Sequence, residues 1–346
     1  MLRNLGMLAA VCVLVAGLSA NADDDDFVMG NYQGSISGPG WEGKTIRAQV
    51  AAMSVIRYRA VFYLGAGAEE QRVEIKGAKE SGPDIFKAED KVKARKEVVI
   101  AFEGEADFGP ALGGDCLIRG RITNETFSGT IKNKQGEGRF ELKRVFLEPP
   151  TLGQKAPEGA VVLLDGTSMD PWNALPYWQI QGDGSMQTVG SSLATKNEYG
   201  DGLYHVEFVC PFMPSESGQA RGNSGVYVFG RYEVQVLDSF ADLPADNLCG
   251  GIYKEAKPIV CASLPPLQWQ TYDITFTAPK FDASGKKTQD AVITVVHNGV
   301  TIHDQVKLSN VTPGGVSDKE APQGVLMVQD HGNAVRFRNI WYQPAN

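Results

Sequence analysis

The sequence lacks two signatures of common hydrolases. It has no Gly-x-Ser-x-Gly elbow and no His-Glu-x-x-His, which excludes the usual forms of those sites. Basic residues are also scarce, since 33 Lys and Arg stand against 41 Asp and Glu for a net charge of -8. A nucleic-acid binder needs a basic surface to engage phosphates, so the composition excludes that class of function.

Cysteine and histidine are few and widely spaced. No Cys-x-x-Cys or Cys/His spacing indicates zinc, and the four histidines are spread along the chain. Cys12 falls in the leader described below, so four cysteines enter an oxidising compartment, where they allow three pairings. We predict a disulfide between Cys249 and Cys261, which flank a loop rich in Gly and Pro, whereas Cys116 belongs to another domain.

The N-terminus has the pattern of an export signal. Arg3 precedes an apolar run from Leu5 to Leu18, and Ala20-Asn-Ala22 supplies the small residues at which a signal peptidase cuts. The run is short and is followed by four aspartates, which disfavours a retained membrane helix. We therefore expect residues 1–22 to be a signal peptide, the mature protein to be periplasmic or extracellular, and no membrane association after cleavage.

Short alternating strands fill the rest of the chain, in two blocks. Residues 27–148 read as a small antiparallel β domain, either a sandwich or a barrel, with strands near 32–36, 45–50, 58–64, 71–75, 98–102, 116–122, 126–131 and 139–146. The proline-rich segment 149–159 is predicted to be a linker, because prolines hold the chain extended.

Residues 160–346 read as a second all-β domain without an amphipathic helix. Strands are predicted near 161–164, 203–209, 225–229, 232–237, 271–277, 291–297, 300–306, 325–330 and 335–342. Asn298-Gly299 indicates a two-residue hairpin turn, since both residues tolerate positive φ. This number of strands favours two packed antiparallel sheets, as in a jelly roll.

The strand from Tyr232 to Leu237 carries the strongest candidate chemistry. Side chains alternate along a strand, so Tyr232 and Val234 face the core while Glu233 and Gln235 share the other face, which we expect to be an exposed concave surface. Asp238 joins them if a bulge turns it inward. Glu233 is equally consistent with a solvated residue on a half-exposed strand.

A second polar cluster lies at Gln329-Asp-His-Gly-Asn333, between two apolar runs. Asp330 and His331 are candidates for an acid and a base, although Asp330 in such a turn is also typical of a residue that caps backbone amides. Four aromatic residues are candidates for stacking on sugar rings, although core packing is commoner for aromatics in a sandwich: Tyr177, Trp178, Tyr253 and Trp269.

A set of ordered motifs resembles one known family. The motifs are Leu163-Leu-Asp-Gly-Thr-Ser168, Trp178, Asn223-Ser-Gly-Val-Tyr227, Tyr232-Glu-Val-Gln-Val-Leu-Asp238, Gly251-Ile-Tyr253, Trp269-Gln-Thr-Tyr272, Asn298-Gly299, Gln329-Asp-His-Gly-Asn333 and Phe337-Arg-Asn-Ile340. From about 160 to 342 the chain is similar to the 3-keto-disaccharide hydrolase family, long known as domain of unknown function 1080. The preceding block resembles an N-terminal β domain attached to such enzymes in planctomycete-like bacteria.

The resemblance implies a concanavalin A-like jelly-roll sandwich and an exported enzyme that cleaves 3-keto-glycosides by lyase and hydratase steps. It makes Glu233 and Asp238 the leading acid/base candidates, with Asp330 and His331 second. The implied substrate-binding residues are Arg231, Gln235, Asn223, Tyr253, Gln329 and Trp178. The expected partner is a carbohydrate.

Two points stay open from the sequence. No cofactor is certain: a divalent cation could polarise the ketone, but the sequence shows no metal-ligand set. The alternative function is a lectin-like carbohydrate-binding protein without catalysis, because a fold alone does not establish an activity.

Overall fold

The protein was analysed as a computed structural model that describes residues 28–65, 70–83 and 97–345. The predicted signal peptide, residues 1–22, lies outside the described residues. The chain divides into two compact units, Met1–Leu147 and Glu148–Asn346. Throughout the described ranges, no helix combines the length and the apolar character needed to cross a membrane.

The first unit is a closed antiparallel barrel in which each strand pairs with the next and the last pairs with the first. Its strands are β1 (Gly30–Ser37), β2 (Thr45–Ala52), β3 (Arg57–Leu64), β4 (Gln71–Ser81), β5 (Val99–Asp107), β6 (Asp115–Thr123), β7 (Thr126–Lys132) and β8 (Glu137–Val145). The sequence left a sandwich and a barrel open, and closure of β1 on β8 settles the choice. Closure pairs the backbone groups that an open sheet would expose at its edges.

Aromatic side chains fill the interior of the barrel. Phe127 lies at ring-centroid distances of 5.0 Å from Phe102, 5.2 Å from Phe62 and 5.4 Å from Phe140. A Cβ added to Gly129 would meet the Phe140 ring at 2.8 Å, so the absence of a side chain there makes room for the ring. The barrel interior is therefore a packed core.

The second unit is all antiparallel β, as expected for the predicted class: two sheets form a sandwich, and Lys280–Phe281 and Lys287–Gln289 pair in a separate two-stranded sheet. Among the described residues, the larger sheet has the order β10-β21-β12-β15-β18-β19, with β9 also paired to β21, and the smaller sheet has the order β11-β20-β13-β14. The strands are β9 (Val161–Leu164), β10 (Met186–Gln187), β11 (Leu193–Ala194), β12 (Gly202–Val209), β13 (Ser224–Val228), β14 (Tyr232–Val236), β15 (Gln270–Thr277), β16 (Lys280–Phe281), β17 (Lys287–Gln289), β18 (Ala291–His297), β19 (Val300–Leu308), β20 (Met327–Val328) and β21 (Arg336–Pro344).

The core of the second unit lies between these two sheets. Alternate residues of β12 and β15, including Phe208 and Tyr272, meet Val234 and Val236 of β14 in one apolar cluster. The predicted hairpin joins β18 to β19, where Asn298 has φ 52° and Gly299 has φ 80°. This turn prediction is confirmed, because both central residues adopt the positive φ that a type I′ turn needs.

Residues 149–159 were predicted to be a linker, but the first part of this segment packs against the larger sheet. The Thr151 hydroxyl donates to Asp273 Oδ2 at 2.7 Å, and the backbone amide of Gly153 donates to Glu207 Oε1 at 2.5 Å. The Gln154 carbonyl accepts from the Asn339 amide at 2.9 Å. The segment supplies hydrogen-bond donors to two carboxylates of the larger sheet, so it belongs to the sandwich. We call residues 148–155 the strap.

The predicted disulfide between Cys249 and Cys261 is not formed, and the four described cysteines are free thiols. Cys249 Sγ lies 3.2 Å from the Tyr272 hydroxyl, inside the core. Cys261 Sγ instead contacts the Ser239 carbonyl at 3.5 Å. The disulfide prediction is wrong for this structure, because the Cys249 thiol lies in the core and the Cys261 thiol lies in a loop, each with its own contacts.

Candidate active site

The hairpin of β13 and β14 brings the candidate residues together. In its register Tyr227 pairs with Glu233 and Gly225 pairs with Gln235. Because side chains alternate, these four residues share one face of the hairpin. The other face, with Tyr232 and Val234, packs into the core. The assignment of faces predicted from the sequence is therefore observed.

Loops cover this face, which the sequence analysis expected to be exposed. Only 2% of Glu233 and 1% of Gln235 are accessible to solvent. The free edge of β14 is covered by backbone hydrogen bonds. The backbone amide of Gln235 donates to the Gly251 carbonyl at 2.9 Å, and the backbone amide of Tyr253 donates to the Glu233 carbonyl at 3.2 Å. The Thr312 hydroxyl accepts from the Glu233 amide at 2.8 Å. The surface expected on the strand is thus the floor of a covered pocket.

We call this cavity the inner pocket. Its volume is about 120 Å³, and it is lined by Gln219, Asn223, Tyr227, Glu233, Gln235, Tyr253, Pro313, Gly314, Gln329 and His331. A water molecule occupies about 30 Å³ in the liquid, so the inner pocket suits one small polar ring. Seven of its ten lining residues carry an amide, hydroxyl or carboxyl group, and such groups can orient a hydroxylated ligand.

Glu233 is the acid of the inner pocket. Burial raises its pKa from 4.5 to about 7, and the hydrogen bond from the Tyr227 hydroxyl opposes this rise. That hydroxyl lies 2.8 Å from Glu233 Oε2. The side-chain amide of Gln235, oriented so that its nitrogen faces hydrogen-bond acceptors, donates to Glu233 Oε1 at 2.9 Å. Both carboxyl oxygens are held in place, and the group is poised to gain or lose a proton near neutral pH.

Tyr227 is itself held by three neighbours. Its hydroxyl accepts from Gln329 Nε2 at 3.1 Å and lies 2.9 Å from the Pro313 carbonyl as well as beside Glu233. Burial raises the pKa of Tyr227, and the adjacent Glu233 carboxyl adds to the rise. The phenol therefore stays protonated and serves as a fixed hydrogen-bond donor to the carboxylate.

Two acceptor atoms of the inner pocket have no partner. Asn223 Oδ1 and Gln329 Oε1 are buried, and neither accepts a hydrogen bond from any described residue. An unsatisfied buried acceptor costs about 1–3 kcal/mol, so such atoms in a cavity wall indicate donors on a ligand. Both belong to residues that the resemblance assigned to substrate binding.

Six of the ten predicted site residues line the inner pocket: Glu233, Gln235, Asn223, Tyr253, Gln329 and His331. Asp238 does not. The register of β13 and β14 continues without a bulge to Val236, so Asp238 turns away and forms an ion pair with Arg221 Nε at 2.7 Å. Asp330 does not line it either, because its Oδ1 accepts from the Gly332 amide at 3.0 Å and caps the turn.

Arg231 and Trp178 also lie elsewhere. Arg231 lies in the turn that joins β13 to β14, where its guanidinium donates to the Lys319 carbonyl at 2.6 Å and the Phe229 carbonyl at 2.7 Å. Trp178 is packed in the core of the sandwich. Arg231 therefore fixes a loop, and Trp178 contributes to packing, which the sequence analysis had named as the commoner fate of an aromatic.

Three residues of the site were not predicted from the sequence: Tyr227, Gly225 and Gln219. Tyr227 stands directly opposite Glu233, and counting back through the tight turn at Gly230 would have placed it there. A Cβ on Gly225 would lie 2.3 Å from Glu233 Oε1, so the glycine leaves space for the carboxyl group. Gln219 comes from a loop with a short 3-10 turn (Gly218–Ala220), and no local signal points to it.

The residues present do not make a metal-ligand set. Within the described ranges, no three His, Cys, Asp or Glu side chains come close enough to hold a metal ion. Glu233 and His331 are the residues of these types in the wall of the inner pocket.

The fold and the site define an all-β sandwich protein with one covered acid in a polar pocket. A family model described as the 3-keto-alpha-glucoside-1,2-lyase-like domain matches residues 159–343. The chain therefore belongs to this family, as the motifs in its sequence suggested.

The chain is also similar to solved structures. One crystal structure from Parabacteroides distasonis ATCC 8503, of a "putative glycosyl hydrolase", has 32% identity and a TM-score of 0.51, and the match covers 55% of this chain and 86% of that one. Another of the same description and organism has 18% identity, a TM-score of 0.41, and coverage of 55% and 95%. A third has 21% identity, a TM-score of 0.40, and coverage of 53% and 98%. A search of curated proteins finds no significant match.

Proposed function

We propose that this protein is an exported enzyme that cleaves 3-keto-glycosides. Family membership supports action on a sugar oxidised at C3. The single observation that carries the mechanism is Glu233, a buried carboxyl with a pKa of about 7, held between two hydrogen-bond donors. Export rests on the sequence pattern of residues 1–22.

A ketone at C3 acidifies the hydrogen on C2, so a positioned carboxylate can remove it. Glu233 takes this proton, the electron pair forms the C1–C2 double bond, and the C1–O bond to the aglycone breaks. Water then adds across the enone: its oxygen bonds to C1, Glu233 returns a proton to C2, and the second hydrogen of the water leaves as the proton that replaces the one given to the aglycone oxygen. The sum is hydrolysis of the glycosidic bond, and a pKa near the working pH suits a group that both accepts and returns a proton.

Other groups of the inner pocket would bind and polarise the sugar. Tyr253 lines the pocket, and its hydroxyl would donate to the oxygen at C3, where charge develops. Asn223 Oδ1 and Gln329 Oε1 would accept hydrogen bonds from sugar hydroxyls, which relieves their unsatisfied state. The recognition elements are thus neutral amides and phenols.

His331 is placed for the leaving group. It lies at the rim of the inner pocket, where it is exposed and also borders a larger hollow outside. A group on this boundary can donate a proton to the departing aglycone oxygen while Glu233 acts on C2 from inside.

The test is aglycone release from a 3-keto-glucoside in D2O, followed by NMR. Wild-type protein should release the aglycone and incorporate deuterium at C2. Glu233→Gln should lower both by about 10²–10⁴-fold, the usual contribution of a general base. Asp330→Asn, which alters a carboxylate outside the inner pocket, should retain activity. Binding without consumption by the wild type would refute the enzyme and support a lectin-like role.

A further inference from the structure

A second cavity opens beside the inner pocket, and we call it the outer hollow. Its volume is about 520 Å³, and it is lined by Met213, Glu216, Gln219, Ala220, His331 and Asn333. Gln219 and His331 also line the inner pocket, so the two cavities adjoin. The outer hollow is within the usual range of about 300–1,000 Å³ for ligand sites, whereas the inner pocket is much smaller.

The uncommitted surface of the outer hollow is apolar. Met213 and Ala220 lie at the two ends of a loop that turns at Met213, whose carbonyl accepts from the Glu216 amide at 3.1 Å. Methionine is flexible and polarizable, and it adapts to flat or irregular apolar groups. Met213 together with the apolar Ala220 on one wall favours contact with an apolar ligand.

Two of the four polar residues of this wall, Gln219 and Asn333, are occupied within the protein. Gln219 Nε2 donates to the Asn247 carbonyl at 2.7 Å, and Gln219 Oε1 accepts from the Asn223 amide at 3.2 Å. Asn333 Oδ1 accepts from the backbone amide of Asn223 at 2.7 Å. A second sugar needs many hydrogen-bond partners, and these side chains already hold the inner pocket in shape.

The charge of the two cavities disfavours an anionic ligand. Among the described residues, neither wall contains Lys or Arg, and the outer hollow has Glu216 at its rim. A phosphate or carboxylate ligand would meet a negative group and no cation to compensate it.

We infer that the outer hollow is the subsite for the aglycone and that it selects an uncharged apolar aglycone, such as an aryl group, over a second sugar or an anionic group. The inference rests on the proposed function, because it assigns the inner pocket to the keto-sugar. The scissile C1–O bond then lies at the junction of the two cavities, beside His331.

The experiment compares two 3-keto-glucosides of the same anomer, benzyl and 2-hydroxyethyl. Both aglycones leave as primary alcohols, so the pair differs mainly in apolar contact. Binding to Glu233→Gln is measured by calorimetry, and kcat/KM is measured with the wild type. The benzyl compound should be preferred by about tenfold in both, the effect expected of a modest apolar contact in a pocket.

Substitution of the wall separates this subsite from general affinity. Met213→Ser should lower the benzyl preference to about twofold or less, and Ala220→Asp, at an exposed position, should lower it in the same direction. Met53→Ser, an exposed methionine of the barrel, should leave the preference unchanged. Circular dichroism checks that each variant is folded.

The outcomes distinguish the two proposals. Equal binding of the two glucosides, no binding of either, or a preference that survives both substitutions would overturn the subsite. If the wild type releases no aglycone but Glu233→Gln keeps a benzyl preference that depends on Met213, the proposed reaction fails and the apolar subsite stands.

Discussion

Glu233 is expected to destabilise the folded protein at neutral and alkaline pH. The carboxyl is 2% exposed, and no Lys or Arg forms an ion pair with it among the described residues. Replacing it by Gln keeps the size of the side chain and removes the charge. We expect Glu233→Gln to be much less active but more stable than the wild type above pH 7.

The size of the effect follows from the pKa. A rise from 4.5 in the unfolded chain to about 7 in the folded protein, at about 1.4 kcal/mol per pKa unit, corresponds to about 3 kcal/mol. Because the folded pKa is the higher one, the folded state binds the proton more tightly. Its stability is fully present below pH 4.5 and declines as the pH rises through about 7.

Thermal unfolding at several pH values measures this contribution. The gain in Tm of Glu233→Gln over wild type should be least at pH 4.5 and greatest at pH 8, where about 3 kcal/mol corresponds to roughly 6–12 °C for a unit of this size. A gain that does not change with pH, or a variant less stable than the wild type at pH 8, would refute the assignment of Glu233 as a strained buried acid.

Three further predictions concern the surroundings of this acid. Tyr227→Phe removes a hydrogen bond that lowers the Glu233 pKa, so the acidic limb of the kcat/KM profile should move up by about 1–2 pH units. Gly225→Ala places a Cβ at 2.3 Å from the position of Glu233 Oε1 and should lower kcat by about 10²-fold, the cost of a displaced catalytic group. Arg221→Met leaves Asp238 buried and unpaired and should cost about 3–5 kcal/mol in urea unfolding, whereas Asp238→Asn should retain kcat/KM.

A control variant and two contrary results test these predictions. Gly182→Ala, at a glycine whose added Cβ would meet no atom within 4 Å, should leave kcat unchanged. A Tyr227→Phe profile that keeps its limb near pH 7, which is the wild-type value expected from the Glu233 pKa, would contradict the assigned hydrogen bond. Loss of turnover in a folded Asp238→Asn would restore Asp238 as a catalytic candidate.

Local pattern was sufficient for much of the fold. Alternation of apolar residues identified the strands of the barrel and nine strands of the sandwich unit, but not the short strands β10, β11, β16 and β17. Asn298-Gly299 identified a hairpin. Both signals depend on nearest neighbours along the chain. Alternation also placed Glu233 and Gln235 on one face. The burial of that face was not predictable, because the residues that cover it, such as Tyr253 and Thr312, are distant in sequence.

The missed and misplaced residues have a common cause. Asp238 belonged to the site only through a bulge, and the strand pairing has none. Tyr227 pairs with Glu233 across the turn, so a strand-by-strand analysis overlooks it. Gln219 reaches the pocket from an irregular loop. Whether these residues reach the pocket depends on the cross-strand register and on the position of loops. The periodicity of a single strand predicts neither.

The strap has a practical consequence for work on isolated fragments. The family match begins at residue 159, and a fragment cut there would lose the amide of Gly153 and the hydroxyl of Thr151. Glu207, at 0% exposure, and Asp273 would each be left without a donor that they now use. A gene truncated at the sequence-defined boundary should yield poorly soluble protein, whereas one that starts at Glu148 retains the whole folding unit.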